Sequence, residues 1–224
     1  MRSVEVGRPI TFGPAAQLVV RPSPGWLLSL AVSHERNANS FVCIPVDEPS
    51  EGRANGAIRM ELSYRNADPD KDRDRLLEYH CGSNYACESP LTQEQGYPRY
   101  RAKWLSTCQP AEFTASLAAS LKDDRTILKL TEVASGEVCG YVWATFQDIK
   151  GYDFTIVEIQ DLFVEQSFRR KGIATAVMRM VEVAAERLGV HWLRSGTGSN
   201  NLQSIKLYES QGYLVHRIEY EKRI

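Results

Sequence analysis

The sequence predicts an α/β fold with a β-rich N-terminal arm, and three features carry that expectation. A β-branched and aromatic run, Thr155 to Val164, reads as a pleated strand. An amphipathic stretch, Ile173 to Leu188, reads as a helix, and Val190-His191-Trp192-Leu193 reads as a short returning strand. Between strand and helix stands a basic glycine turn, Arg169-Arg170-Lys171-Gly172. A strand, turn, helix and strand in this order make a unit of an open sheet, where ligands collect at the carboxyl ends of the strands.

The elements follow in chain order. Residues 1–56 are punctuated by Pro9, Pro14, Pro22, Pro24, Pro45 and Pro49. The apolar runs between them, Leu18–Val20, Trp26–Leu30 and Phe41–Ile44, read as short strands. Such a segment is short for a core of its own. It is expected to pack on the main domain, residues 57–224, or on a second copy in a homodimer. Ala57 to Tyr64 reads as the first strand of that domain, and Asp68-Pro69 opens a charged helix ending near Tyr79. Gly82 to Gln109 is polar and aromatic without clear periodicity, and is expected as a long loop, either plain surface or part of a site. Ala111 to Lys122 reads as a helix, and Thr126–Glu132 and Val138–Phe146 as a hairpin around Ala134-Ser135-Gly136.

In the next strand, simple alternation puts Glu158, Gln160, Leu162 and Val164 on one face. In the helix, Ile173, Val177, Val181, Ala184 and Leu188 line one side, while Thr175, Arg179, Glu182 and Glu186 line the other. Gly189 suits a helix-ending C′ position. A last helical stretch carries Asn201, Ser204, Tyr208 and Gly212.

Composition narrows the function classes. A chain of 224 residues with 43% hydrophobic content suits one domain plus an appendage. A net charge of −1 argues against holding nucleic acid on a basic face. No apolar run is long enough to span a membrane, and residues 1–10 lack the apolar core of a signal peptide. A cytoplasmic protein is expected, with neither nucleic acid nor membrane as partner. The five cysteines are odd in number and irregular in spacing, so a disulfide framework is not expected. His80, Cys81 and Cys87 lie close in sequence, but their spacing is not that of a zinc motif, and no metal is expected.

The basic turn has a definite chemistry. The first turn of a helix carries backbone N–H groups without intrahelical partners and partial positive charge. Phosphates bind such ends readily. Gly172 lets oxygens approach the backbone, Ala174 is the next-smallest residue, and Arg169, Arg170 and Lys171 add three positive charges.

Two motifs then resemble one family. Val164-x-x-x-Phe168-Arg169-Arg170-Lys171-Gly172-Ile173-Ala174 resembles the coenzyme A motif Q/R-x-x-G-x-G/A of the GNAT superfamily of N-acetyltransferases. Asn201-x-x-Ser204-x-x-x-Tyr208-x-x-x-Gly212-Tyr213 resembles its C-terminal motif, with Ser204 for Ala and Tyr213 for Phe. The resemblance is strongest from Ile156 to Tyr213 and absent before about Gly56. It implies a mixed, mostly antiparallel sheet flanked by helices, with acetyl-CoA as co-substrate and a small-molecule or peptide amine as acceptor. It implies a pyrophosphate site at Arg169, Arg170, Lys171, Gly172, Ile173, Ala174 and Thr175. It also implies that Leu162, Phe163 and Val164 run along the pantetheine arm, in a strand splayed from its neighbour, and that Gly82–Gln109 walls the acceptor site.

Residue roles follow from the chemistry of acyl transfer. The Val164 N–H can polarise the thioester carbonyl. Tyr208 has the geometry and pKa to protonate a departing thiolate. Asn201 orients the cofactor, caps the helix, or does both. Glu158 is the candidate base for the amine: it stands eleven positions before Arg169, the spacing of a catalytic glutamate in GNAT histone acetyltransferases. Asp161 is the alternative, since a bulge in this strand would exchange which carboxylate faces the cleft. The segment around Ile159–Thr175 also resembles aminoglycoside 3-N-acetyltransferases locally. Against the enzyme stands a second class, an acetyl-CoA-binding module without catalysis. Tyr208 and a carboxylate at Glu158 favour the enzyme.

Overall fold

The computed structural model describes residues 41–42 and 60–222. The rest of the expected arm, and its boundary with the 57–224 domain, lie outside the described residues. Six strands form one sheet in chain order: β1 (Phe41–Val42), β2 (Leu62–Asn66), β3 (Ile127–Val133), β4 (Val138–Ile149), β5 (Phe154–Val164) and β6 (Leu193–Ser195). Neighbours from β1 to β5 are antiparallel, whereas β5 and β6 are parallel. The sheet is mixed and mostly antiparallel, as the sequence resemblance implies. The hairpin turns at Gly136, whose φ of 80° requires a residue without Cβ strain.

Two apolar layers cover the sheet. On one face, α5 (Ile173–Arg187) packs Ile173, Val177 and Val181 against Val142, Ala144, Phe146, Val157 and Ile159. Full burial of each such aliphatic side chain stabilises by about 1.5–3 kcal/mol. On the other face, α1 (Arg73–Cys87) and α4 (Gln109–Ser120) pack Leu76, Tyr79, Phe113 and Leu117 against Leu128, Leu130, Tyr141 and Trp143. Leu188, expected on the buried side of α5, is exposed. It is the C-cap, where the chain already turns out toward Gly189 at φ 71°.

The expected loop 82–109 is mostly helical. The helix beginning after Asp68-Pro69 runs to Cys87 rather than ending near Tyr79. Two short helices follow, α2 (Pro90–Gln93) and α3 (Tyr97–Leu105). Each has a proline in its first turn, where the missing N–H costs nothing. Helices of four and nine residues are too short to show a hydrophobic period. The aromatics of this segment pack inward: Tyr100 and Trp104 are buried with Cys81, and the Tyr85 ring lies 5.2 Å from those of both Tyr97 and Tyr100.

Two irregularities shape β5. First, its register against β4 shifts: Trp143 pairs with Asp161 while Ala144 pairs with Ile159, so Gln160 is an extra residue. This bulge overturns the simple alternation expected from the sequence. Leu162 joins Val157 and Ile159 against the α5 layer. Asp161, with a β4-facing partner in Tyr141, lies on the α1 side together with Phe163. Second, pairing with β6 stops at Ile159–Ser195, while β5 continues to Val164. The sheet therefore opens along 160–164.

β4 and β5 approach closely at the far end of this open edge. A Cβ at Gly140 would stand 2.4 Å from the Phe163 carbonyl oxygen and 3.3 Å from the Val164 Cα. Both are backbone atoms and cannot step aside. Gly140→Ala is expected to destabilise by about 2 kcal/mol, as overpacking does. That corresponds to a fall in Tm of roughly 4–8 °C for a domain of this size, read by thermal unfolding. An unchanged Tm would mean that the strands do not meet this tightly.

Candidate active site

The site is built where β5 parts from β6. The Glu165 N–H donates to the Cys139 carbonyl on β4 at 2.9 Å. Successive N–H groups of a strand point to opposite sides, so those of Val164 and Leu162 turn toward the open edge. The side chains of Leu162 and Val164 pack half-buried against the α5 layer. Phe163 points the other way. Its ring stacks on Tyr79 at 4.8 Å, and a Cβ at Gly82 would come within 2.9 Å of it. Leu162, Phe163 and Val164 thus offer backbone, rather than side chains, to a ligand along this edge.

The turn beyond β5 leads into α5. Gly172 is the N-cap in the left-handed region at φ 80°, and Arg170 is left-handed too at φ 64°. The Ala176 N–H closes the first helical bond onto the Gly172 carbonyl, which leaves the N–H groups of Ile173, Ala174 and Thr175 at the open end of the helix. Among the described residues, none beyond its chain neighbours has an atom within 4 Å of where a Gly172 Cβ would stand, so the approach is open. The three cations divide their work. Arg169 donates to the Val164 carbonyl at 3.0 Å and lies over the Phe163 ring, bracing β5. Lys171 lies over the Phe168 ring with Nζ 5.0 Å from its centroid. Arg170 is exposed. The Ile173 side chain is buried in the core, so only its N–H faces the turn.

Tyr208 stands on α6 (Leu202–Ser210), half-buried. Its hydroxyl and that of Ser195, at the end of β6, share a hydrogen bond of 2.7 Å. Burial pushes the Tyr208 hydroxyl above the ordinary tyrosine value, the Ser195 bond pulls it down, and electrostatic repulsion from Cys87 and Asp161 adds to the rise. Asn201 caps α6, its side chain accepting from the Ser204 N–H at 3.3 Å.

Of the two carboxylates, Glu158 is half-buried, pairs across the sheet with Thr145 and Arg194, and accepts a hydrogen bond from Gln147. It sits where β5 still has a strand on both sides. Asp161 is buried at the bulge, where the sheet opens. Its Oδ2 accepts from the Tyr141 hydroxyl at 2.5 Å and hydrogen-bonds to His80 Nδ1. Burial, and then the Asp161 charge, hold the Tyr141 hydroxyl well above its ordinary pKa.

His80, Asn84 and Ser195 were not singled out as site residues by the sequence. His80 and Asn84 are four apart on α1 and meet at 3.0 Å between His80 Nε2 and Asn84 Nδ2. Their helical spacing was a usable signal, but it is lost once the helix is taken to stop at Tyr79. Cys87, further along α1, reaches Thr197 just after β6 at 3.8 Å. A Cβ at Gly198 would stand 2.7 Å from the Cys87 carbonyl, and Asn200 donates to Gln93 at 2.6 Å. The loop after β6 therefore lies directly on the ends of α1 and α2. Among the described residues no group of three or more His, Cys, Asp or Glu side chains is placed to hold a metal ion, and no helix is long and apolar enough to cross a membrane.

Comparison with known proteins bears on the family and the fold. The model of the acetyltransferase (GNAT) family matches residues 93–213, more than half of the chain. A protein of Clostridium acetobutylicum described as a predicted acetyltransferase, solved with acetyl-CoA, superposes with a TM-score of 0.54 at 16% identity. The match covers 72% of this chain and 96% of that one. A transcriptional regulator of Bacillus halodurans gives 0.53 at 16% identity over 73% of this chain and 100% of that one. An aminoglycoside antibiotic 6′-N-acetyltransferase of Acinetobacter baumannii gives 0.50 at 14% identity, over 73% and 98% respectively. At these identities the likeness is one of fold.

Proposed function

Taking as premise that this chain belongs to the acetyltransferase (GNAT) family, we propose that it acetylates a primary amine of a small molecule. Membership makes the chain an acyltransferase that draws on acetyl-CoA; the class of acceptor and the residue roles are our reading. A peptide amine is the alternative acceptor. The observation that carries the reading is the open edge of β5 at 160–164: it begins beyond the last pair with Ser195, whose hydroxyl bonds that of Tyr208, and the chain runs on from it to the N–H groups of Ile173–Thr175 at the open end of α5.

The residues fit acetyl-CoA in three respects. The backbone from Leu162 to Val164, paired with β4 but open on its β6 side, suits an amide-bearing arm, which can add to it as a strand would. The turn from Arg169 to Thr175 suits a pyrophosphate, through N–H groups, the helix dipole and the exposed cations Arg170 and Lys171. Asn201 fixes the start of α6 and so the position of Tyr208 beside the thiol end. Acetyl-CoA supplies the activated acyl group. The chain's share is to hold its carbonyl on the Val164 N–H, a contribution of a few kcal/mol for such donors, on the order of 3. Tyr208 gives the sulfur a proton as the C–S bond breaks. The amine must lose its own proton first, since an alkylamine with a pKa of about 10 is an ammonium at neutral pH. That proton leaves toward the α1 side of β5, at the bulge where Asp161 lies.

The experiment is a panel of sugar amines, polyamines, aromatic amines and lysine peptides, scored by free coenzyme A and by the mass of the product. A gain of one acetyl on a small amine is expected. Acetylation confined to peptides would reverse the acceptor assignment. Binding of acetyl-CoA without thiol release across the panel would leave only a binding module.

A further inference from the structure

We propose that His80 is the general base of this site, with Asp161 as its positioning residue, in place of a carboxylate acting directly. The inference rests on the amine-acetylation reading and deepens it.

Asp161 is poorly arranged to take the proton itself. Its carboxylate is buried, and its Oδ2 is met by both the Tyr141 hydroxyl and the His80 ring. An ionised carboxylate only accepts, so a neutral ring must hold its proton on Nδ1, facing Asp161. That leaves the lone pair on Nε2, the tautomer a base requires. The Nε2 partner is the side-chain amide of Asn84, half-buried on the same face of α1. An amide is a weak donor that an incoming ammonium can displace. The ring plane is fixed by stacking on Phe113, centroids 4.0 Å apart, and by the edge of Trp104 at 5.9 Å.

Position supports the assignment as much as hydrogen bonding does. The bulge at Gln160 turns Asp161 toward α1 at the residue where β6 has just left β5. Beyond His80 and Asn84 the same helix carries Cys87, which touches Thr197. The Tyr208 hydroxyl bonds Ser195, which pairs with Ile159 two residues before Asp161. The ring, the acid and the start of the open edge therefore share one neighbourhood. Glu158 lies further back, where β5 is paired on both sides, and is engaged by Gln147. The groups set against the ring or its carboxylate are Asp161 from β5, Tyr141 from β4 and Asn84 from α1; α3 and α4 contribute the uncharged rings of Trp104 and Phe113.

The proton balance closes. Nε2 of His80 takes one proton from the ammonium, giving a neutral amine and an imidazolium that faces the Asp161 carboxylate. The amine nitrogen bonds to the acetyl carbon as the C–S bond breaks. Tyr208 gives its proton to the sulfur and recovers one from the acylated nitrogen, directly or through water. His80 returns its proton to solvent, so each turnover yields amide, thiol and one released proton.

The test is a set of pH–rate profiles on the full chain, with an amine that the wild type acetylates, for His80→Gln, Asp161→Asn and Glu158→Gln. Calorimetry with acetyl-CoA runs alongside. In His80→Gln the enzyme's own acidic limb of kcat/KM should vanish, leaving only the rise set by the amine's ionisation at about pH 10, and the rate at pH 7 should fall about a hundredfold, the scale of general base help. It should recover toward high pH, with acetyl-CoA affinity kept. Asp161→Asn should move the limb to lower pH, because losing the carboxylate disfavours the imidazolium. A purely structural carboxylate would lower the rate without moving it. Glu158→Gln should leave the profile in place. Should a variant not fold, nitrogen-15 histidine spectra of the wild type still read the ring: an Nδ1–H tautomer that titrates with the limb supports the base. Nε2–H in the neutral ring overturns it, as does a limb surviving in His80→Gln or lost only in Glu158→Gln. A wild type that binds acetyl-CoA but acetylates no amine brings down the amine reading, and this proposal with it. Turnover with an unmoved limb in His80→Gln brings down this proposal alone.

Discussion

Tyr208→Phe is expected to lower kcat by about a hundred- to a thousandfold, within the range of general acid help, with acetyl-CoA affinity little changed. The substitution removes one oxygen, leaves the ring in place and strands only Ser195, whose hydroxyl shares the 2.7 Å bond. A lost hydrogen bond of that kind costs about 1 kcal/mol of stability, too little to explain a large loss of rate. The pH dependence gives a second reading. A general acid works while protonated, and the Tyr208 pKa is raised above 10, first by burial and then by nearby negative charge. Its ionisation would remove the proton to be donated, so any alkaline fall in kcat belongs above pH 10. Ser195→Ala removes the one interaction that lowers this pKa. It should weaken the acid and push that limb higher still. Equal kcat in Tyr208→Phe and wild type would make the tyrosine a packing residue.

Gly172→Glu is expected to weaken acetyl-CoA binding by a hundredfold or more while the domain still folds. The substitution acts through conformation and through charge. At φ 80° a residue with a Cβ is strained by roughly 1–2 kcal/mol. A carboxylate there would also face the pyrophosphate, and a single repulsion at about 4 Å is on the order of 4 kcal/mol in a surface environment. Every 1.4 kcal/mol is about tenfold in affinity. Among the described residues, none beyond the chain neighbours comes within 4 Å of the new Cβ, so packing is not disturbed. Gly172→Asn separates the two effects, since asparagine tolerates the left-handed region and carries no charge. Calorimetry should rank wild type, Asn and Glu in that order. Undiminished binding in the Glu variant would remove the turn from the cofactor site.

The strand–turn–helix unit is legible in the sequence. Its signals are local: a β-branched run, a glycine between cations, apolar residues at helical spacing, and Gly189 closing α5. The match of α5 to residues 173–187 and of the hairpin to β3 and β4 reflects this. Asn201 as the cap of α6 was legible for the same reason, because a cap is read from its own helix. The helices between 82 and 109 were not, because their inward aromatics answer to one another and to Cys81 rather than to a period along the chain.

The chain's own order of residues thus determined the family motifs, the basic glycine turn before α5 and the presence of a tyrosine on α6. Only the tertiary structure decided which carboxylate meets which partner. One extra residue at Gln160 reverses the faces of β5 beyond it, because strand side chains alternate with a period of two. That reversal brings Asp161 to His80, eighty-one positions away in sequence and on another element. No local pattern encodes such a meeting; it exists only once the register of β5 against β4 and the packing of α1 on the sheet are both set.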